Sequence, residues 1–127
     1  GLTKLSIQNN RITKMEGLET LVNLEELYLS FNGLTKIEGL ENLKGLKVLD
    51  LASNQIERIE GLGTLAALED LWLDNNAIEV VENIDHLAEL RTLYLEGNKC
   101  RREEYRGTVI AMLPKLEKLD VEELPTR

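Results

Sequence analysis

The 127-residue chain has one cysteine, one histidine, two prolines and five aromatic residues. A lone Cys100 cannot close an internal disulfide, which excludes the cross-linked scaffold of small secreted domains. One His and one Cys supply neither a zinc quartet nor a nucleophile–base pair. Basic residues are in deficit, with 15 Lys and Arg against 23 Asp and Glu and a net charge of −8. Nucleic-acid binding needs clustered cations, and an anionic membrane surface attracts them, so the acidic balance argues against both partners. No apolar run approaches the roughly 20 residues of a membrane span. There is no signal-peptide pattern and no N-x-S/T glycosylation site. These absences predict an intracellular protein with no cofactor, no nucleic-acid partner and no membrane partner.

What the chain has is a period. An asparagine returns every 22 residues, at Asn10, Asn32, Asn54, Asn76 and Asn98, inside the frame L-x-x-L-x-[LI]-x-x-N-x-[ILC]. Segments open at Leu2, Leu24, Leu46, Leu68 and Leu90. A fixed period with this leucine pattern predicts an α/β leucine-rich-repeat solenoid. Each L-x-L core is a short strand whose side chains alternate between faces. Leu27/Leu29, Leu49/Leu51, Leu71/Leu73 and Leu93/Leu95 then point inward, and the residues between them line the concave face of a parallel sheet. An Asn amide both donates and accepts, so the five in register are expected to form a polar ladder that satisfies backbone groups at the bends.

Further apolar slots follow each Asn at spacings of three, as in Leu34/Ile37/Leu40/Leu43 and Ile56/Ile59/Leu62/Leu65. That spacing fits 3₁₀, irregular or short helical backbone on the convex side. Gly17, Gly39, Gly61 and Asn83 share one slot, which predicts a left-handed turn there. Residues 1–98 thus read as five repeats and 99–127 as a C-terminal cap. The cap has an amphipathic stretch (Tyr105, Val109, Ile110, Leu113) before Pro114 and a strand-like frame at Leu116 and Leu119. A standard repeat starts right after Gly1, and the chain reads as the C-terminal part of a longer array.

Four of the five aromatics fall on predicted concave positions: Tyr28, Phe31, Trp72 and Tyr94. Random placement would put fewer than about one there, and burial preference draws large aromatics inward. Tyr28, Trp72 and Tyr94 share the x of L-x-L, with Asp50 in the same slot between them. Glu26, Asp70, Asp74 and Glu96 flank the row, and Lys4 is the main positive charge. Tyr and Trp dominate binding hot spots, so an aromatic stripe rimmed by acids predicts a protein-binding face with a basic partner. The plainer alternative is that aromatics suit strands and pack across the sheet.

Chemical motifs are few. Gly61-Leu-Gly63-Thr-Leu-Ala66 matches a loose dinucleotide fingerprint, yet Gly61 is a repeat slot and no βαβ unit surrounds it. His86 is read as a solvated residue of the return segment, and Cys100 as a small buried hydrophobe. The carboxylates lack a focused cleft. The expectation is a non-catalytic chain with no metal site.

The return pattern I-x-x-[IM]-x-G-L-x-x-L resembles the Sds-type class of leucine-rich repeats. The stretches LSIQNN (5–10), NLEELYLSFN (23–32), VLDLASN (48–54), LWLDNN (71–76), TLYLEGN (92–98) and YRGTVIAMLPKLEKLD (105–120) resemble that class's phosphatase-regulating members. This resemblance implies a regulatory or scaffold subunit, in nucleus and cytoplasm, that binds the catalytic subunit of protein phosphatase 1. It carries the contact role to Asp50, Asp70, Trp72 and Tyr94. Relatives sharing the repeat and cap keep other readings open, among them an adaptor of cilia like axonemal dynein's leucine-rich light chain, and the spliceosomal A-prime protein.

Overall fold

A computed structural model describes residues 1–126. Five three-residue strands recur at 22-residue spacing: β1 (Lys4–Ser6), β2 (Glu26–Tyr28), β3 (Val48–Asp50), β4 (Asp70–Trp72) and β5 (Thr92–Tyr94). They are followed by helix α1 (Arg102–Met112), β6 (Lys118–Leu119) and β7 (Glu122–Glu123). The seven strands form one sheet in sequence order, parallel from β1 to β6. Equivalent residues pair directly, Leu27 with Leu49, Leu49 with Leu71, and Leu71 with Leu93. The predicted solenoid, with its parallel concave sheet and C-terminal helical cap, is the observed fold.

The convex side is built from tandem tight turns. Leu43 N–H donates to Leu40 O and Leu46 N–H to Leu43 O, and the pattern repeats at 62/65/68 and 84/87/90. These three-residue steps turn Leu40, Leu43 and Leu46 to one side, and all three are fully buried. Strand leucines and return leucines meet in one continuous core. Truncating such a leucine to alanine removes its transfer energy and opens a cavity, about 2–5 kcal/mol.

Gly17, Gly39, Gly61 and Asn83 have φ between 60° and 76°, the left-handed turn expected of that slot. At Gly61 an added Cβ would stand 2.7 Å from Ile37 O. Asn83, one repeat on, donates from Nδ2 to the equivalent carbonyl of Ile59 at 2.8 Å. A crowding carbonyl thereby becomes an acceptor.

β7 was not foreseen. Asp120 takes a left-handed conformation (φ 56°) and reverses the chain, so that β7 pairs antiparallel with β6. Helix α1 buries Tyr105 and Val109 in the core. The buried carboxylate of Asp120 accepts from Leu95 N–H, Glu96 N–H and Tyr105 Oη–H at 2.6, 3.0 and 2.6 Å. Burial, then this bond, pushes the Tyr105 phenol well above its ordinary range. Arg106 grips Glu122 through Nε and Nη2 at 2.8 and 2.6 Å, and Arg102 also pairs with it. The Arg106 and Arg102 hydrogen bonds lower the Glu122 carboxyl to about 2.

Candidate functional site

The ladder asparagines sit between neighbouring turns. Asn54 Nδ2 donates to Leu51 O in its own turn and Leu29 O in the turn before, both at 3.0 Å. Its Oδ1 accepts from Leu34 N–H at 3.1 Å. Asn32, Asn76 and Asn98 repeat this three-way arrangement. Asn10 does not: it is exposed and donates to Gln8 O at 2.9 Å.

A second ladder runs along the convex side. Asn42 Nδ2 donates to Glu19 O at 3.2 Å, and Thr64 Oγ1 to Glu41 O at 2.8 Å. His86, in the same slot one repeat further on, places Nε2 2.9 Å from Leu62 O. Only a protonated Nε2 can donate to a carbonyl, so this contact fixes the tautomer of a neutral ring. His86 is exposed but is a rung between turns, not a freely solvated residue. Because Thr, Asn and His share no obvious pattern, the slot is invisible in sequence.

On the concave face the strand register sets Tyr28, Asp50, Trp72 and Tyr94 side by side. Trp72 stacks on Tyr94 with centroids 5.9 Å apart and planes 15° apart. Toward Tyr28 the indole is 6.2 Å away and tilted by 46°. Lys4 Nζ lies 5.4 Å from the Tyr28 centroid and Lys118 Nζ 5.5 Å from that of Tyr94, so a cation stands over each outer ring. Across the sheet the order is Lys4, Tyr28, Asp50, Trp72, Tyr94 and Lys118, with the two lysines in register with Glu26 and Thr92.

Asp50 is the surprise. Alternation placed it on the open face, yet it is only 6% exposed. Its flanking residues, on strands two apart, would stand roughly 9.6 Å from each other if upright. The rings close to 6.2 Å and so lean together over the carboxylate between them. Beneath them Asp50 accepts from Ala52 N–H at 3.1 Å and from Gln8 Nε2 at 3.4 Å. Gln8 also donates to Ser30 Oγ at 3.1 Å.

The rim residues differ in setting. Glu26 is half-buried and accepts from Tyr28 Oη–H at 2.6 Å. That bond, then burial and the charges of Glu26, Asp50 and Asp70, raises the Tyr28 phenol to about 12. Asp70 is half-buried and Glu96 exposed. Asp74 is half-buried, and burial raises its carboxyl, with repulsion from Asp50 and Asp120 adding to the effect. Phe31 stands apart from the row, at the turn after β2, 59% exposed and with φ 58°. Asn9, Ser53, Asn75 and Gly97 hold the same slot in the other turns, all with positive φ. A phenylalanine there carries roughly 1–2 kcal/mol of backbone strain.

Among the described residues no group of three or more His, Cys, Asp and Glu is placed to hold a metal ion. No helix among them is long and apolar enough to cross a membrane. Gly61 lies in a convex turn, away from any helix start. Cys100 is half-buried at a cleft of about 250 Å³ beside α1, and burial raises its thiol, the opposite of nucleophilic activation.

The profile of Leucine Rich repeats (2 copies) matches residues 1–42, 22–64 and 44–89. No curated protein matches the sequence significantly. Among solved structures, the internalin InlF of Listeria monocytogenes is similar at 33% identity and a TM-score of 0.84, over 97% of this chain and 36% of that one. The internalin InlC2 of the same organism gives 29% and 0.83, over 92% of this chain and 50% of that one. A chain of the Drosophila melanogaster SNF/U2A′ complex gives 28% and 0.82, over 97% of this chain and 75% of that one. The chain therefore spans about a third of the length of InlF. With parallel strands at 22-residue spacing, asparagines bonded across the turns and the profile match over residues 1–89, the protein belongs to the leucine-rich-repeat family.

Proposed function

We propose that the chain is a non-catalytic regulatory or scaffold module that binds the catalytic subunit of protein phosphatase 1 through its concave face. The observation that carries this is the aromatic row on the sheet, Tyr28, Trp72 and Tyr94, rimmed by Glu26, Asp70, Asp74 and Glu96. Solenoids present extended concave surfaces to partners, and desolvated Tyr and Trp anchors dominate such contacts. The Sds-type resemblance supplies the phosphatase as partner and assigns contacts to Asp50, Asp70, Trp72 and Tyr94. In this reading Trp72 and Tyr94 anchor, Asp70 pairs with a basic partner group, and Asp50 supports the row from beneath.

A second reading, an adaptor within another protein assembly, is favoured by the likeness to the SNF/U2A′ chain, three quarters of which this chain covers. Calorimetric titration against the phosphatase catalytic subunit separates the two. Trp72→Ala is expected to weaken binding by about 2 kcal/mol or more, and Asp70→Lys to weaken it most at low salt. Arg58→Ala, exposed in the return segment, serves as the control. Trp72→Ala also removes two ring contacts worth about 0.5–1.5 kcal/mol each, so a melting curve accompanies each titration. Wild-type affinity in both concave variants would show that this face is not the binding surface.

A further inference from the structure

We infer that the closed seam between Tyr28 and Trp72, with Asp50 beneath it, opens as a receiving slot for a single arginine side chain of a protein partner. This rests on the concave-face reading above and names the chemistry that the face selects. The row is uneven. Trp72 and Tyr94, on adjacent strands, stand nearly parallel as an offset stack. Tyr28 and Trp72 meet at 46° and form a V, and the residue between them is a carboxylate.

That carboxylate is buried, and its two hydrogen-bond donors are neutral, a backbone amide and the Gln8 side chain. The Gln8 bond is long at 3.4 Å. A buried carboxylate held this way is costly without a cation. The row's own cations cannot serve, because Lys4 and Lys118 stand over the outer tyrosines at its two ends.

The dimensions suit one planar group. Upright rings on strands two apart stand roughly 9.6 Å from one another. A flat group stacked between them at contact distance needs about 7–8 Å. Swinging Tyr28 out of its lean opens that space and uncovers Asp50, at the expense of the Tyr28–Glu26 bond and the ring's contacts with Trp72 and Lys4. A guanidinium fits as a lysine ammonium does not: it is planar, stacks on aromatic faces and presents a fork to both carboxylate oxygens. The rim carboxylates Glu26, Asp70 and Asp74 attract such a group and repel an acidic one.

Trp72 is the chain's only tryptophan, so its fluorescence reports the slot without labels. The probe is a terminally blocked tri-arginine peptide, titrated beside tri-lysine and tri-citrulline at fixed ionic strength. The expected result is saturable change of Trp72 emission, half complete at about 1 mM tri-arginine, with about tenfold weaker response to tri-lysine and none to tri-citrulline. Asp50→Asn keeps an acceptor for Ala52 N–H and removes the charge, and is expected to abolish the arginine preference. Tyr28→Ala removes one wall and is expected to do the same. Equal response to arginine and lysine, no saturation, or unchanged selectivity in the two variants would overturn the slot. The wild-type comparison stands even if a variant fails to fold. The phosphatase reading is tested separately by Trp72→Ala against the catalytic subunit, so unselective peptides beside intact phosphatase binding would overturn the slot alone.

Discussion

At the scale of single residues, position in the period matters more than residue type. Asn54 and Asn10 occupy the same slot, yet one is bonded to two turns and the other only to Gln8 O. Asn54→Leu leaves backbone groups without partners and is expected to destabilise by about 1–3 kcal/mol. Asn10→Leu should cost less than about 0.5 kcal/mol, as exposed substitutions usually do. Chemical denaturation of the two variants checks this, and equal costs would refute the ladder's role. Phe31 is the converse case, an exposed ring in a left-handed slot that suits Asn or Gly. Phe31→Asn relieves strain and is expected to stabilise by up to about 1 kcal/mol. If Phe31 is retained for contact, the same variant weakens partner affinity; a lower melting temperature would show that the backbone is not strained.

At the scale of elements, each strand contributes one concave side chain per register position, and neighbours decide what that side chain becomes. Tyr28 is coupled to Glu26 two residues away, chiefly by their hydrogen bond. Its phenol titrates at about 12 in the folded chain against an ordinary 10. A raised value means that the stabilisation is fully present below pH 10 and is lost as pH rises toward 12. Glu26→Gln removes the anionic acceptor and is expected to move this titration down toward 10. Near-ultraviolet absorbance of tyrosinate, with Tyr28→Phe to assign the step, measures it. An unmoved titration in Glu26→Gln would show that burial, not the hydrogen bond, governs the phenol.

At this scale, too, the limits of sequence reading have physical reasons. Alternation assigned Tyr28, Asp50, Trp72 and Tyr94 to one face, and the strand register places them side by side. It could not foretell that two rings would close over Asp50, because face assignment says nothing about how side chains lean across strands. The spacing of three at Leu40, Leu43 and Leu46 pointed to the tight convex turns. The convex rung of Asn42, Thr64 and His86 escaped because three unlike donors do the same work. The β6–β7 hairpin escaped because Asp120, without glycine, takes the left-handed turn and is held there by contacts from α1 and β5.

At the scale of the molecule, fold and charge separate cleanly. Leucines recurring at 22-residue spacing fix the core. The acidic balance, a net charge of −8, tells in contrast on the concave rim, where Lys4 and Lys118 stand over the outer rings of the row and acids flank it. The ends of the stack differ. At one end Asp120 and the pairing of Arg102 and Arg106 with Glu122 join α1, β5 and the hairpin. At the other, β1 pairs with β2 alone and Asn10 makes no bond to a neighbouring turn.

In the 127-residue chain β1 is held by β2 alone, whereas Asp120, α1 and the hairpin clamp the far end, so opening is expected to start at β1 and spread inward turn by turn. The asparagine rungs do not set this direction, because each turn takes its rung from the turn that follows it. Native-state hydrogen exchange is expected to show the amides of Ile7 and Asn9 opening first, and those of Leu51 and Leu73 resisting longest, although all four donate to the following strand or turn. Uniform exchange along the chain would mean that the turns melt together. A graded profile would mean that the part of the aromatic row nearest β1, Tyr28 over Asp50, lies on the more yielding side of the molecule, and that the Trp72–Tyr94 stack rests on the firmer one.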